Sequence, residues 1–224
     1  MSSDLNGSSI HTDPQLRSAS PGALSMTRLC QAGLNILVVL LLLLLAVSSY
    51  QRFLSSQSFS SFGILTVNTL FLCLFLTRPT AKSETTSLPL WLLATAAVAL
   101  PLLLRPSGTA GNASIGYGMQ LTGLVMLVGS LLSLRRSFAL VPGNRGVRDG
   151  GLYRIVRHPM YLSELTILLG VVVTNPTAAN TIVWLCECGL QFARARAEEN
   201  FLVVDPLYRA YRERVPYRLL PGLL

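Results

Sequence analysis

The stretch LNILVVLLLLLLAVSSY, Leu34–Tyr50, decides the fold. It carries no charge and sits inside an apolar run from Leu29 to Tyr50. As a helix rising 1.5 Å per residue, that run spans about 33 Å, enough to cross a hydrocarbon core about 30 Å thick. Arg28 precedes it, as a cation precedes a secretory signal. The run is longer than a signal's apolar core and no Ala-x-Ala cleavage pattern follows, so the expectation is a retained helix. Three further apolar runs follow at Phe59–Thr77, Leu88–Leu104 and Ile115–Leu134. They are punctuated by Arg78-Pro79, Arg105-Pro106 and Arg135-Arg136.

Beyond them, Met160–Thr174 would be only about 22 Å long as a helix. After the break at Asn175-Pro176, a second apolar stretch covers Thr177–Ala193. This pair reads as a helical hairpin, spanning or re-entrant. The expected fold class is therefore all-α: a multi-pass integral membrane bundle of four spanning helices, a C-terminal helical hairpin and a cytoplasmic C-terminal segment. The expected division is a disordered, Ser-rich tail at 1–28, the four-helix region at 29–134 and a functional region at 135–224.

Composition agrees. Of 224 residues, 51% are hydrophobic and 12% charged, with a mean hydropathy of +0.52. A soluble domain carries about 25% charged residues. A net charge of +8 would ordinarily suggest nucleic acid, but in a chain this apolar the cations belong at a membrane surface. No nucleic-acid partner is expected; membrane lipids are. If the first helix starts in the cytoplasm, Arg52 and Arg105 are the only basic residues left outside, among eighteen. That asymmetry follows the positive-inside rule and predicts both termini on the cytoplasmic side. The cysteines Cys30, Cys73, Cys186 and Cys188 lie in or beside apolar runs and are expected as small buried hydrophobes. Cys186-x-Cys188 lacks a second ligand pair, so no metal is expected.

Polar chemistry concentrates after Arg135. The loop RRSFALVPGNRGVRDGGLYRIV (Arg135–Val156) has the glycines to let backbone amides approach a small polar ligand, or simply the arginines to meet anionic lipid. In Arg157-His158-Pro159-Met160-Tyr161, Pro159 suits the first helical turn and makes His158 the N-cap. In QFARARAEENFL (Gln191–Leu202), Arg194 and Glu198 share a helix face. Singly, each has an ordinary explanation: a cap, an interfacial aromatic, an exposed ion pair.

Their order is more specific. Gly151-Leu152-Tyr153-x3-Arg157-His158-Pro159-x-Tyr161, a hairpin broken at Asn175-Pro176, Arg194-x3-Glu198-Glu199 and the tail YRAYRERVPYRLLPGLL together resemble the isoprenylcysteine carboxyl methyltransferase family and its phospholipid methyltransferase relatives. The resemblance covers about Arg135–Leu224. It implies a methyltransferase using S-adenosylmethionine, with a lipophilic acceptor entering from the bilayer. It further implies a cofactor site of Tyr153, His158, Pro159, Met160, Tyr161, Glu198 and Glu199 with the loop residues Val147 and Arg148, and Arg194 as the catalytic residue facing an acceptor carboxylate. Ser163 stands where many relatives have glycine, and Arg145-Gly146-Val147-Arg148 is more basic than the eukaryotic run. A carboxylate is already ionised at neutral pH, so such an enzyme needs positioning and water exclusion rather than a general base. Two alternatives remain open at this stage: a membrane sterol or steroid reductase using NADPH, which shares Arg-His-Pro-x-Tyr and a following glutamate (here Glu164), and a phospholipid amine N-methyltransferase. A non-enzymatic lipid-binding subunit is a third class.

Overall fold

A computed structural model describes residues 21–57, 59–77, 83–84, 87–105, 111–134, 143–144, 147 and 149–222. Among the described residues the regular structure is helical apart from one antiparallel pairing of two-residue strands, β1 (Ser83–Glu84) with β2 (Gly143–Asn144). The helices are α1 (Pro21–Ser56), α2 (Phe59–Thr77), α3 (Leu88–Ala99), α4 (Ala113–Leu134), α5 (Pro159–Thr174), α6 (Ala178–Leu202) and α7 (Pro206–Arg214). The chain divides within α1 into two compact units, residues 1–37 and 38–224.

Two helical segments are long and apolar enough to cross a membrane, Ala32–Ser56 and Ala113–Leu134; Ser61–Thr77, Leu88–Leu103 and Pro159–Thr174 are shorter apolar helices. Many of their outward side chains are large and apolar, among them Leu40, Leu44, Leu121, Val125 and Leu132. A water-soluble surface would not carry such a density of exposed aliphatics. Cys73 and Cys186 belong to this outer surface and Cys188 is half-buried, so the expectation of buried cysteines is overturned for the first two. An apolar helix face turned outward accepts a thiol as readily as a core does.

Local chemistry sets the helix ends. Pro101 ends the α-helical hydrogen bonding of α3, which tightens into a 3-10 turn at Leu100–Leu103. Asn112 Oδ1 accepts from Ile115 N at 3.0 Å and caps α4. Thr177 and Asp205 cap α6 and α7 through their side chains. His158 is the N-cap of α5 with Pro159 at its first position, but its ring makes no cap bond and is free to point elsewhere.

Helices α4 and α5 lie antiparallel along a glycine seam. A Cβ added at Gly123 would stand 2.7 Å from Ile167 Cγ1 and 2.9 Å from Ser163 O. Gly116 and Gly170 face each other further along, each against the other's carbonyl oxygen. The seam fixes the start of α5 beside the end of α4. It thereby places the His158 turn.

Candidate functional site

The C-terminal segment closes the site. Arg157 N donates to Tyr217 O at 2.9 Å and His158 N donates to Arg218 O at 3.0 Å, so the tail runs beside the turn that starts α5. This brings Arg218 onto Glu199 of α6. Arg218 Nη2 donates to Glu199 Oε2 at 2.8 Å and its Nε to Oε1 at 3.1 Å. His158 Nε2 lies 3.2 Å from the same Oε1 and Arg157 Nε 3.0 Å from it, the latter as an ion pair without hydrogen-bond alignment. Since a carboxylate can only accept, His158 carries a proton on Nε2. Glu199 is 2% exposed. It lies beyond the apolar stretch Thr177–Ala193, at the end of α6. Burial works to raise its carboxyl, but the hydrogen bonds from His158 and Arg218 and the charges of His158 and Arg157 outweigh that and hold it at about 2.

Glu198 faces the other way. Tyr161 donates to its Oε2 at 2.9 Å, and His158 Nδ1 stands 3.7 Å from the same oxygen. Its side chain keeps 30% exposure. The rings of His158 and Tyr161 stack at 5.3 Å, nearly parallel. Two more tyrosines sit within the field of this carboxylate. Burial and then Glu198 raise the hydroxyls of both Tyr153 and Tyr208 above the usual tyrosine range. Tyr211 supports them from behind by donating to Tyr153 O at 2.9 Å.

Arg194, one turn before Glu198, places its guanidinium over the Tyr161 ring, 4.8 Å from the centroid. Its Nη1 donates to Gln191 Oε1 at 3.0 Å. Gln191 Nε2 then donates to Glu164 Oε2 at 2.7 Å and to Glu187 Oε1 at 2.8 Å. A polar chain thus runs from Glu199 through His158, Tyr161 and Arg194 to Glu164. Glu164 opens onto a largely apolar cavity of about 700 Å³ among α1 to α5, walled by side chains such as Leu45, Phe71, Ile167 and Leu168.

Of the residues expected from sequence, His158, Tyr161, Arg194, Glu198 and Glu199 come together here. Pro159 and Met160 are buried in the first turn of α5. Tyr153 is buried as well. Val147 packs instead on the Tyr208, Tyr211 and Val215 cluster, and Arg148 and Arg145 lie outside the described residues. Sequence reasoning missed Arg157, Arg218, Glu187 and Gln191 as participants. Glu187, Gln191 and Arg194 did carry a signal, being polar residues at helical spacing on an otherwise apolar helix. Arg218 carried none, because only the folded tail delivers it.

Fold and site together define an apolar helical bundle with a buried ionic cluster at one end and a lipophilic cavity inside. The model of the family described as "Protein of unknown function (DUF1295)" matches residues 87–213, and the chain belongs to that family. The match runs from the cap of α3 into α7 and includes every residue of the polar chain, but not Arg218. No curated protein matches the chain.

Proposed function

We propose that the protein transfers a methyl group from S-adenosylmethionine to a lipophilic acceptor held in the bilayer, with an acceptor carboxylate as the nucleophile. The observation that carries this reading is the partly open Glu198 carboxylate, which accepts from Tyr161 and lies beside the stacked His158 and Tyr161 rings. A carboxylate among aromatic rings suits a cationic group, here the ammonium or sulfonium of the cofactor. A nicotinamide dinucleotide is strongly anionic and needs guanidinium groups turned into its site rather than out to the surface. Arg157 and Arg218 are already committed to Glu199. This favours the methyltransferase over the reductase.

The cofactor supplies an activated methyl on sulfur, and the chain's residues do the positioning. Glu198 and Tyr161 orient the cationic part. Arg194 offers a guanidinium between the cavity end and Glu198, and holds the acceptor carboxylate in a fixed geometry. The apolar cavity takes the acceptor's tail and excludes water. In the same reading the four apolar helices each cross the membrane, α5 and α6 form the hairpin, and both termini face the cytoplasm. The clustering of exposed arginines at the Glu199 end supports that sidedness.

Calorimetric titration of the purified full chain tests the cofactor assignment. Binding of S-adenosylmethionine is expected, with Glu198→Gln weakening it about ten- to a hundredfold while the protein still purifies normally. Binding of NADPH in place of S-adenosylmethionine would overturn the reading. A tritiated-methyl assay on membranes then separates base-labile esters from N-methyl products. Arg194→Ala should abolish ester formation and leave cofactor affinity within about 1 kcal/mol.

A further inference from the structure

Away from the ionic cluster, a second pair of cations borders the cavity. Arg52, near the end of α1, donates from Nη2 to Leu102 O at 3.4 Å, and Arg105 donates from Nη1 to the same oxygen at 2.7 Å. Two guanidinium groups therefore converge on one neutral carbonyl. Both residues are exposed, both line the 700 Å³ cavity, and neither has an acidic partner among the described residues. Like charges placed this close repel, so the arrangement requires a counter-charge or solvent.

Arg105 is built into place. Asn180, 1% exposed at the start of α6, accepts from Arg105 N at 3.0 Å and donates to Arg105 O at 2.9 Å, with a second donation to Asn175 O. Both backbone groups of Arg105 are thereby fixed to the α5–α6 turn. The lining beside the arginines includes Ser55, Ser56 and Ser61, and elsewhere the wall is aliphatic with Val67, Leu104 and Leu168.

We propose that this cavity binds a single-chain anionic amphiphile, its carboxylate or phosphate between Arg52 and Arg105 and its chain along the aliphatic wall. The volume lies within the roughly 300–1,000 Å³ of pockets for small ligands, which fits one chain rather than two. The bound head group supplies a counter-charge, and planar guanidinium groups suit an oxyanion with two free oxygens. None of its cations belongs to the Glu198 cluster, so the head-group site does not rest on methyl transfer, but its aliphatic wall is the one assigned to the acceptor's tail and the two chains would compete for it.

Native mass spectrometry of the full chain in neutral detergent tests it, with lysophosphatidic acid and lysophosphatidylcholine of equal chain length as probes. One retained lysophosphatidic acid is expected, bound about tenfold more tightly than the zwitterionic probe. Arg52→Gln and Arg105→Gln should each lose about tenfold, and the lysine variants should keep part of the affinity. Both arginines are exposed, so melting temperatures should stay near the parent's. Equal retention of the two probes, or full retention by the double glutamine variant, overturns the proposal. Inorganic phosphate that stabilises the chain as well as lysophosphatidic acid does would assign the pair to a free anion and also overturn it.

Discussion

Glu198 and Glu199 are neighbours of identical chemistry with opposite duties. Glu199 is saturated by Arg157, Arg218 and His158, whereas Glu198 keeps part of its surface open. Removing the Glu199 carboxylate strands a buried arginine, a loss of about 3–5 kcal/mol. Glu199→Ala should therefore melt far below the parent in detergent, while Glu198→Gln melts close to it. The clasp also sets an acid limit. A carboxyl held at about 2 against an ordinary 4.5 contributes its full stabilisation above pH 4.5 and loses it as pH falls toward 2. The parent's melting temperature should drop through that window, and the Glu199→Ala variant should lack that part of the drop. The sequence showed the Glu-Glu pair and the helix face that Glu198 shares with Arg194. It did not divide the two roles, since that division depends on a tail arginine and on the turn before α5, which meet Glu199 only in three dimensions.

At the scale of elements, composition was a good guide wherever hydrocarbon decides the outcome. Helix α2 runs from Phe59 to Thr77, as its apolar run does, and α4 and α5 begin within two residues of theirs. Composition failed where polar side chains turn inward. The expected apolar stretch stopped at Ala193, yet α6 runs on to Leu202 with Arg194 and Glu199 buried within the bundle rather than paired on its surface. The glycine seam between α4 and α5 was not legible either, since glycine in an apolar run marks no particular partner. Its cost is measurable. A Cβ at Gly170 meets the backbone of α4, with Gln120 N 2.9 Å away, so the helices themselves must part. Gly170→Ala should destabilise by about 1–3 kcal/mol. Gly189 on α6 has nothing within 4 Å of an added Cβ. Gly189→Ala should be neutral or stabilising by up to about 1 kcal/mol, through helix propensity alone. Thermal melts of the two variants should move in opposite directions; a Gly170→Ala variant as stable as the parent would mean the seam is not closed.

Over the whole molecule, α6 acts as a ruler. Asn180 near its start holds Arg105, and Glu199 near its end is held by Arg157 and Arg218. Nineteen helical steps separate those anchors, about 28 Å, close to one hydrocarbon thickness of about 30 Å. Between them the outward side chains Ile182, Leu185 and Phe192 are apolar, while Glu187, Gln191 and Arg194 turn inward. Helices that meet lipid satisfy their polar groups inside the bundle in this way. Arg52 and Arg105 mark one end, and the exposed Arg196, Arg209, Arg212 and Arg214 belong to elements at the other. Since α4 lies antiparallel to α5, Asn112 at its start belongs with the Arg105 end, and Gly150, beyond its end, with the ionic cluster. In a background with all four cysteines replaced, Asn112→Cys should react with a membrane-impermeant maleimide from outside intact cells. Gly150→Cys should react only after permeabilisation. The reverse pattern would invert the orientation drawn from the arginines, and labelling of both positions from one side would mean that α4 does not cross the membrane.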